Sequence, residues 1–265
     1  MTELNGEPAT AADLQALALT NYGHYTAMRV DHGAVRGLSH HLERLVRDCR
    51  TVFGADLDRD MVYDYVARAV AAGGAGSFNL RVTVYDPNLD MAHPGDSAKP
   101  QVLVTKRPTA TLPAPPLRAG VATYVRDLPE AKHIGLFGAI AHRRAVQLRG
   151  FDDVLFCDEA AQLSEGATWN VAFYDGANVV WPAAPVLPGV TMTLLQQVHE
   201  DTVVRPVALD ELGHMEAAFA TNVTVGVRAL SAIESVQFPT DHPILDVLRE
   251  EFAEIPPEPA IVAGS

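Results

Sequence analysis

The stretch Arg107-Pro108-Thr109-Ala110-Thr111-Leu112-Pro113-Ala114-Pro115-Pro116-Leu117-Arg118-Ala119-Gly120 divides the chain. Its four prolines interrupt helix and strand patterns alike and give it the composition of a stiff, extended linker. Upstream, Leu38, Leu42, Leu45, Val46, Cys49 and Val52 recur at helical spacing, with Ser39 as the expected N-cap. A second helix is expected from about Asp58 to Ala72, stopped by Gly73 and Gly74. Phe78, Leu80, Val82 and Val84 then alternate with Asn79, Arg81, Thr83 and Tyr85, the pattern of a half-buried strand, and Val102 to Val104 suggests another. Downstream, strands are expected at Val121 to Val125, Asp153 to Asp158, Trp169 to Tyr174, Asn178 to Trp181 and Thr221 to Leu230. Helices are expected over Leu136 to Leu148, after Pro188-Gly189, after a cap at Asp210, and over His242 to Ile255. Mixed elements on both sides of the prolines predict an α/β (α+β) protein of two lobes, 1–107 and 121–265, joined by a linker over 108–120.

Composition narrows the function classes. The 265 residues are 48% hydrophobic and 20% charged, as in an ordinary globular chain. No apolar run is long enough for a transmembrane helix. With 20 basic against 33 acidic residues the formal net charge is -13, which gives no electrostatic reason to bind nucleic acid or an anionic membrane. Any anion must be held by a few local donors. Cys49 and Cys157 match no metal or redox spacing, and His40 and His41, adjacent on a helix, face different directions, so no metal site is expected. Met1 to Thr10 lacks the basic and apolar regions of a secretory signal, and a cytoplasmic location is the expectation.

Only three residues offer a primary amine: Lys99, Lys106 and Lys132. The first two read as a solvated loop and a strand end. Lys132 stands just before a helix in Asp127-Leu128-Pro129-Glu130-Ala131-Lys132-His133-Ile134-Gly135-Leu136, with apolar neighbours on both sides. Desolvation there would favour a nucleophilic amine, although a surface lysine fits the same local pattern. Leu187-Pro188-Gly189-Val190-Thr191 opens a helix, whose free N–H groups and dipole suit a phosphate. Glu165, in Ser164-Glu165-Gly166-Ala167-Thr168-Trp169-Asn170, reads in isolation as a solvated turn acid.

Taken in order, Lys132, Glu165 with Asn170, and the Leu187–Thr191 helix start resemble the class IV aminotransferases, the fold-type IV pyridoxal-phosphate enzymes. That family includes branched-chain and D-amino-acid aminotransferases and aminodeoxychorismate lyase. His41-Leu42-Glu43-Arg44-Leu45, Tyr22-Gly23-His24-Tyr25-Thr26 and Phe219-Ala220-Thr221-Asn222-Val223-Thr224 extend the resemblance from about Asn5 to Leu230. The resemblance implies two lobes with the active site between them, in a homodimer. It implies that Lys132 forms a Schiff base with pyridoxal 5'-phosphate and then moves the substrate proton. Glu165 would pair with the pyridine nitrogen, and Arg44, Val190, Thr191, Val223 and Thr224 would hold the phosphate.

Four positions depart from the family pattern. Phe137 stands where many members carry a tyrosine, and Lys132-His133 looks like the lyase branch. Met192, Val223 and Tyr22 replace an arginine, a threonine and an aspartate. Arg81 on the polar strand face is a candidate carboxylate clamp, with a cross-strand ion pair as the alternative. Arg29 and His24 are further substrate candidates. Trp169 could wall the cofactor or belong to the core. The expected reaction transfers an amino group between a small amino donor and a 2-oxo acid. A C–N lyase of the aminodeoxychorismate type and a non-catalytic relative are the alternatives.

Overall fold

A computed structural model describes residues 1–260 and divides the chain into two units. One comprises Met1–Thr109, Ala131–Gly135 and residues 256–260; the other comprises Ala110–Glu130 and Leu136–Ile255. In chain order the elements are β1 (Thr2–Leu4), β2 (Glu7–Pro8), α1 (Ala11–Thr20), β3 (His24–Asp31), β4 (Ala34–Val35), α2 (Leu38–Phe53), α3 (Arg59–Gly73), β5 (Ser77–Tyr85) and β6 (Gln101–Arg107). There follow β7 (Leu117–Thr123), α4 (Phe137–Leu148), β8 (Asp153–Cys157), β9 (Leu163–Gly166), β10 (Asn170–Tyr174), β11 (Val179–Pro182) and α5 (Val190–Val198). The described residues end with β12 (Thr202–Arg205), a 3-10 turn (Leu209–His214), β13 (Ala217–Asn222), β14 (Gly226–Ile233), β15 (Val236–Gln237), α6 (Pro243–Glu254) and β16 (Glu258–Pro259). Among the described residues no helix is long and apolar enough to cross a membrane.

The first unit is a seven-stranded antiparallel sheet in the order β16-β4-β3-β5-β6-β1-β2. Its pleat sends Met28 and Val30 of β3, Leu80, Val82 and Val84 of β5, and Val102 and Val104 of β6 into one core with Leu38, Leu42 and Leu45 of α2 and Val62 and Val66 of α3. The opposite face carries Tyr25, Ala27, Arg29, Asn79, Arg81 and Thr83, cross-strand partners in the β3–β5 register. Gly37, with φ 73, stands at the α2 cap position and Ser39 lies inside the helix, which corrects the expected cap. The Ser39 N–H donates to the Glu258 carboxylate at 3.1 Å, and its hydroxyl donates to the same group. A carboxylate from the last strand therefore serves the open amides that a capping side chain would have served. Helix α1 was not evident in the sequence because none of its residues is fully buried.

The second unit is a nine-stranded sheet following β12-β11-β10-β13-β14-β7-β8-β9, with β15 beside β14. Strand β9 pairs back to β10 through Glu165 and Asn170, so the path closes on itself. Leu117, Ala119, Leu155, Leu163, Trp169, Val171 and Phe173 pack in one core, while α5 and α6 lie on another with Trp181 and Phe219. Four expectations are corrected here. Leu117–Gly120, expected as linker, belongs to β7, which runs parallel to both β8 and β14 with Leu117 and Ala119 buried. Thr221 to Leu230 is a hairpin and not one strand, because the Asn222 side chain accepts from the Thr224 and Val225 N–H groups and turns the chain. Ala208, not Asp210, occupies the cap of the 3-10 turn, where its N–H donates to Glu211. The segment 131–135, expected in the second lobe, belongs to the first unit.

Candidate active site

In the first unit the chain around Lys132 runs beside β3 as an added edge. The Tyr25 N–H donates to the Lys132 carbonyl at 2.8 Å, and the Ile134 N–H donates to the Gly23 carbonyl at 2.9 Å. His24 and His133 are bridge partners across this short pairing. Gly23 permits it, since a Cβ there would stand 2.5 Å from the Val84 carbonyl oxygen. The Lys132 N–H donates to Asp48 Oδ2 at 2.8 Å, and Arg47 binds Asp48 Oδ1 through Nε at 3.0 Å and Nη2 at 2.7 Å. Buried Ala131 and Ile134 flank the lysine, whose own side chain is half-buried. The Lys132 Nζ lies 4.9 Å from the centre of the Tyr25 ring, and the Arg81 guanidinium lies 3.8 Å from the same centre.

Arg44 is buried on α2, one turn before Asp48. Burial pulls its pKa down to about 10, with the Asp48 carboxylate opposing that shift, so the guanidinium is charged at neutral pH. Deeper on the same helix, His41 Nδ1 is 2.7 Å from Thr26 Oγ1. Burial first, then the positive charges of Arg44 and Lys132, hold that imidazole well below its ordinary range and hence neutral.

The substrate candidates separate by strand face. His24 shares the helix-facing side of β3 with Thr26 and Met28, is fully buried and lies 6.0 Å from the Phe53 ring. Burial lowers its pKa to about 3, and neither ring nitrogen has a hydrogen-bond partner among the described residues. It has no surface to offer a substrate, which corrects its assignment; residue alternation sends it to the core. Arg29 stands on the polar face, where its Nε is 3.0 and 2.9 Å from the two Asp31 carboxylate oxygens and its Nη1 donates to Thr109 Oγ1 at 3.0 Å. Arg81 donates to Thr83 Oγ1 at 3.1 Å and stacks on Tyr25, with no carboxylate partner among the described residues; the ion-pair alternative is not what the chain does. Tyr22 packs edge-on against Phe53 and donates to the Val52 carbonyl at 2.8 Å, so the residue in place of the family's aspartate ties down the end of α2.

In the second unit Glu165 is not a solvated turn residue but a buried one on β9. Its Oε1 accepts from Arg126 Nη1 at 3.1 Å and its Oε2 from the Leu187 N–H at 3.2 Å. The Asn170 Nδ2, directly across from Glu165, donates to the Leu187 carbonyl at 2.8 Å. Both polar groups of the Leu187 main chain are thus fixed by one cross-strand pair, and the α5 helix starts three residues later. Two glycines make the packing possible. A Cβ on Gly189 would meet Asn170 Oδ1 at 2.1 Å, and one on Gly166 would meet the Trp169 ring at 2.0 Å. Trp169 itself belongs to the core.

Gly189 caps α5 with no side-chain hydrogen bond, leaving the first-turn N–H groups of Val190 and Thr191 without intrahelical acceptors. Thr191 Oγ1 and Thr221 Oγ1 are buried with no partner among the described residues. Unsatisfied hydroxyls beside a helix start are the donors that a phosphate takes up, so these residues fit a phosphorylated cofactor. The hairpin turn fits less well than expected, because the Thr224 N–H is already donated to Asn222. The sequence assigns no role to Asp48, Tyr25, Arg126 or Thr221. Tyr25 and Thr221 lie in two of the segments that carry the resemblance, and Asp48 stands four residues after Arg44 on the buried helix face, whereas Arg126 leaves no signal. Among the described residues no group of three or more His, Cys, Asp or Glu is placed to hold a metal ion.

This arrangement falls within a known class. A family model described as "Amino-transferase class IV" matches residues 23–233, and the chain belongs to that family, whose members use pyridoxal phosphate. The fold is the α/β fold-type IV fold. The branched-chain aminotransferase of Thermoproteus uzoniensis with norvaline superposes at a TM-score of 0.84 with 17% identity, covering 95% of this chain and 93% of that one. The branched-chain amino acid aminotransferase from Escherichia coli gives 0.82 at 14% identity, covering 94% and 91%. A candidate 4-amino-4-deoxychorismate lyase from Legionella pneumophila gives 0.79 at 19%, covering 94% and 96%. No curated protein matches the chain.

Proposed function

We propose that the protein is a pyridoxal 5'-phosphate-dependent aminotransferase moving an amino group between an amino acid or amine and a 2-oxo acid. The observation that carries this reading is the polar sheet face on which one Tyr25 ring lies within 5 Å of both the Lys132 amine and the Arg81 guanidinium. An amine for the chemistry and a guanidinium without a carboxylate partner among the described residues thus stand side by side.

When bound, the cofactor supplies an electron sink for charge developing at the substrate Cα. Lys132 Nζ would take the proton from the donor Cα and deliver it to C4′ of the cofactor, and would carry it the opposite way for the acceptor. Glu165 holds a proton on the pyridine nitrogen, its own oxygens oriented by Arg126 and Leu187. Arg44 and the Val190 and Thr191 N–H groups bind phosphate, with the Thr191 and Thr221 hydroxyls as further donors. Val223 offers its main chain at the hairpin turn, while the Thr224 contribution passes to its side chain. Arg81 orients the substrate carboxylate. The protein is proposed to act as a cytoplasmic homodimer, a state that sedimentation of the purified chain tests.

Purified protein should absorb in the visible after incubation with pyridoxal 5'-phosphate, and borohydride should fix the adduct on the peptide carrying Lys132. Lys132→Ala should abolish amino exchange; full turnover in that variant removes the reading. The lyase is favoured by one observation: Phe137, at the start of α4, has no hydroxyl, and the residue is 86% exposed. Release of pyruvate and 4-aminobenzoate from aminodeoxychorismate without an amino acceptor would select the lyase. A protein that stays colourless with cofactor would be a non-catalytic relative.

A further inference from the structure

We propose that Asp48 is a positioning residue that fixes the Lys132 main chain and so sets where the reactive amine stands relative to Arg44. This rests on the reading of Lys132 as the amine that takes up the cofactor.

Asp48 is fully buried, and both of its oxygens are committed. Oδ2 accepts the Lys132 N–H at 2.8 Å; Oδ1 accepts from Arg47, whose side chain is about half exposed. Hydrogen bonds to a carboxylate are shorter and stronger than neutral ones, and a buried carboxylate without partners is costly, so neither oxygen exchanges its partner readily. The Lys132 carbonyl is held from the other side by the Tyr25 N–H. The residue bearing the amine is therefore clamped at both its N–H and its C=O, one grip from α2 and the other from β3.

The geometry of α2 gives this clamp its meaning. Positions four apart lie on one helix face, separated by about 6 Å along the axis. Arg44, proposed for the phosphate, and Asp48, gripping the lysine segment, are such a pair. One rigid helix thus carries both anchors, while the lysine itself arrives on a segment more than 80 residues away in sequence. Without the carboxylate, the segment keeps its pairing to β3 but loses its register against the helix. Phosphate binding should survive that loss, and capture of the aldehyde by the amine should not.

Three measurements on Asp48→Ala, Asp48→Asn and Arg47→Gln test this. In cofactor-free protein, amide exchange in the 131–135 segment should rise about ten- to hundredfold in Asp48→Ala, the equivalent of one lost hydrogen bond to a charged group. The rate at which pyridoxal 5'-phosphate becomes borohydride-trapped on Lys132 should fall by a similar factor. Affinity for pyridoxamine 5'-phosphate, which has no aldehyde, should stay within about twofold because Arg44 is untouched. Asp48→Asn keeps an oxygen for the Lys132 N–H and should restore most of the trapping rate, and Arg47→Gln should fall between the two. Unchanged exchange and trapping in Asp48→Ala overturn the proposal, as does a parallel loss of pyridoxamine 5'-phosphate affinity, which marks a general structural role. Should Asp48→Ala not fold, Asp48→Asn and Arg47→Gln decide by the same readouts. If the wild-type chain traps no cofactor, the functional reading fails, and the exchange experiment still decides whether Asp48 holds the segment.

Discussion

Around Lys132 the chain is held by the Asp48 carboxylate, itself gripped by half-exposed Arg47, and by main-chain hydrogen bonds, whereas around Leu187–Thr191 the hydrogen bonds of Glu165 and Asn170 are joined by approaches that only glycine allows. The first unit depends on charge and protonation: Asp48 on the Lys132 N–H, Arg44 desolvated on α2, His24 and His41 kept neutral by burial. The second, beside its buried Glu165–Arg126 pair, depends also on volume: Gly166 under Trp169 and Gly189 against Asn170. Electrostatic positioning responds to pH, while steric positioning responds to a single methyl group. The two units should therefore fail under different perturbations.

The largest effect is expected from Gly166→Ala. Its Cβ would overlap a rigid, buried indole at 2.0 Å, which no side-chain rotation relieves without disturbing the core. A destabilisation of about 3 kcal/mol is expected, at the upper end of overpacking costs, read as a lowered urea midpoint. An unchanged midpoint would mean that Trp169 has room to move, and that the second unit is less tightly built than the glycine contacts imply.

Acid should act on the first unit. An unfolded His24 titrates near 6.5, but in the fold burial holds it at about 3. As pH falls below 6.5 the unfolded chain takes up a proton that the native chain refuses, so stability is lost on acidification. At pH 5 the loss from His24 is about 2 kcal/mol. The shifted carboxyls of the second unit, Asp175 and Glu211, are lowered groups and act only at more acidic pH. Unfolding curves at pH 7 and 5 measure the difference, and His24→Leu should remove its share of it; an equal drop in that variant would place the acid sensitivity elsewhere.

What could be read from the sequence follows the same division. The β5 alternation and the helices after Gly37, Asp58 and His242 have strong local patterns, because burial on one face writes its period into the chain. The helix start at Val190 was equally plain. The setting of Glu165 was not, since its partners are Arg126, 39 residues upstream, and Leu187, 22 downstream, brought together only when β9 pairs back to β10. The proline stretch marked a real discontinuity but not where it ends: β7 begins at Leu117, and 131–135 returns to the first unit through backbone bonds to β3 that leave no compositional trace. His24 was misplaced for a simpler reason. Its neighbour Tyr25 looks onto the polar face, and one step along a strand reverses the direction.

A smaller effect is expected at alkaline pH. Arg44 is lowered to about 10 in the cofactor-free protein, far enough for its charge to be lost within an accessible range. Below that value the guanidinium is protonated and phosphate binding is constant; above it, affinity for pyridoxamine 5'-phosphate should decline, by about twofold at the pKa itself. Bound phosphate would move the decline upward, so its position should depend on ligand concentration. Arg44→Lys should leave the second unit's fold intact while weakening the ligand at all pH values.

The smallest effect concerns Phe137. A residue 86% exposed contributes little packing, and Phe137→Tyr should change stability by no more than about 0.5 kcal/mol. Its value lies in what else moves. If the missing hydroxyl at this position selects between amino transfer and elimination, Phe137→Tyr should alter the ratio of the two activities while the urea midpoint stays fixed. If neither moves, the exposed ring has no part in reaction choice, and the distinction must lie on the polar sheet face with Tyr25 and Arg81. If the midpoint falls with the ratio, the ring is covered in the working protein, a result that sedimentation at several concentrations would then connect to self-association.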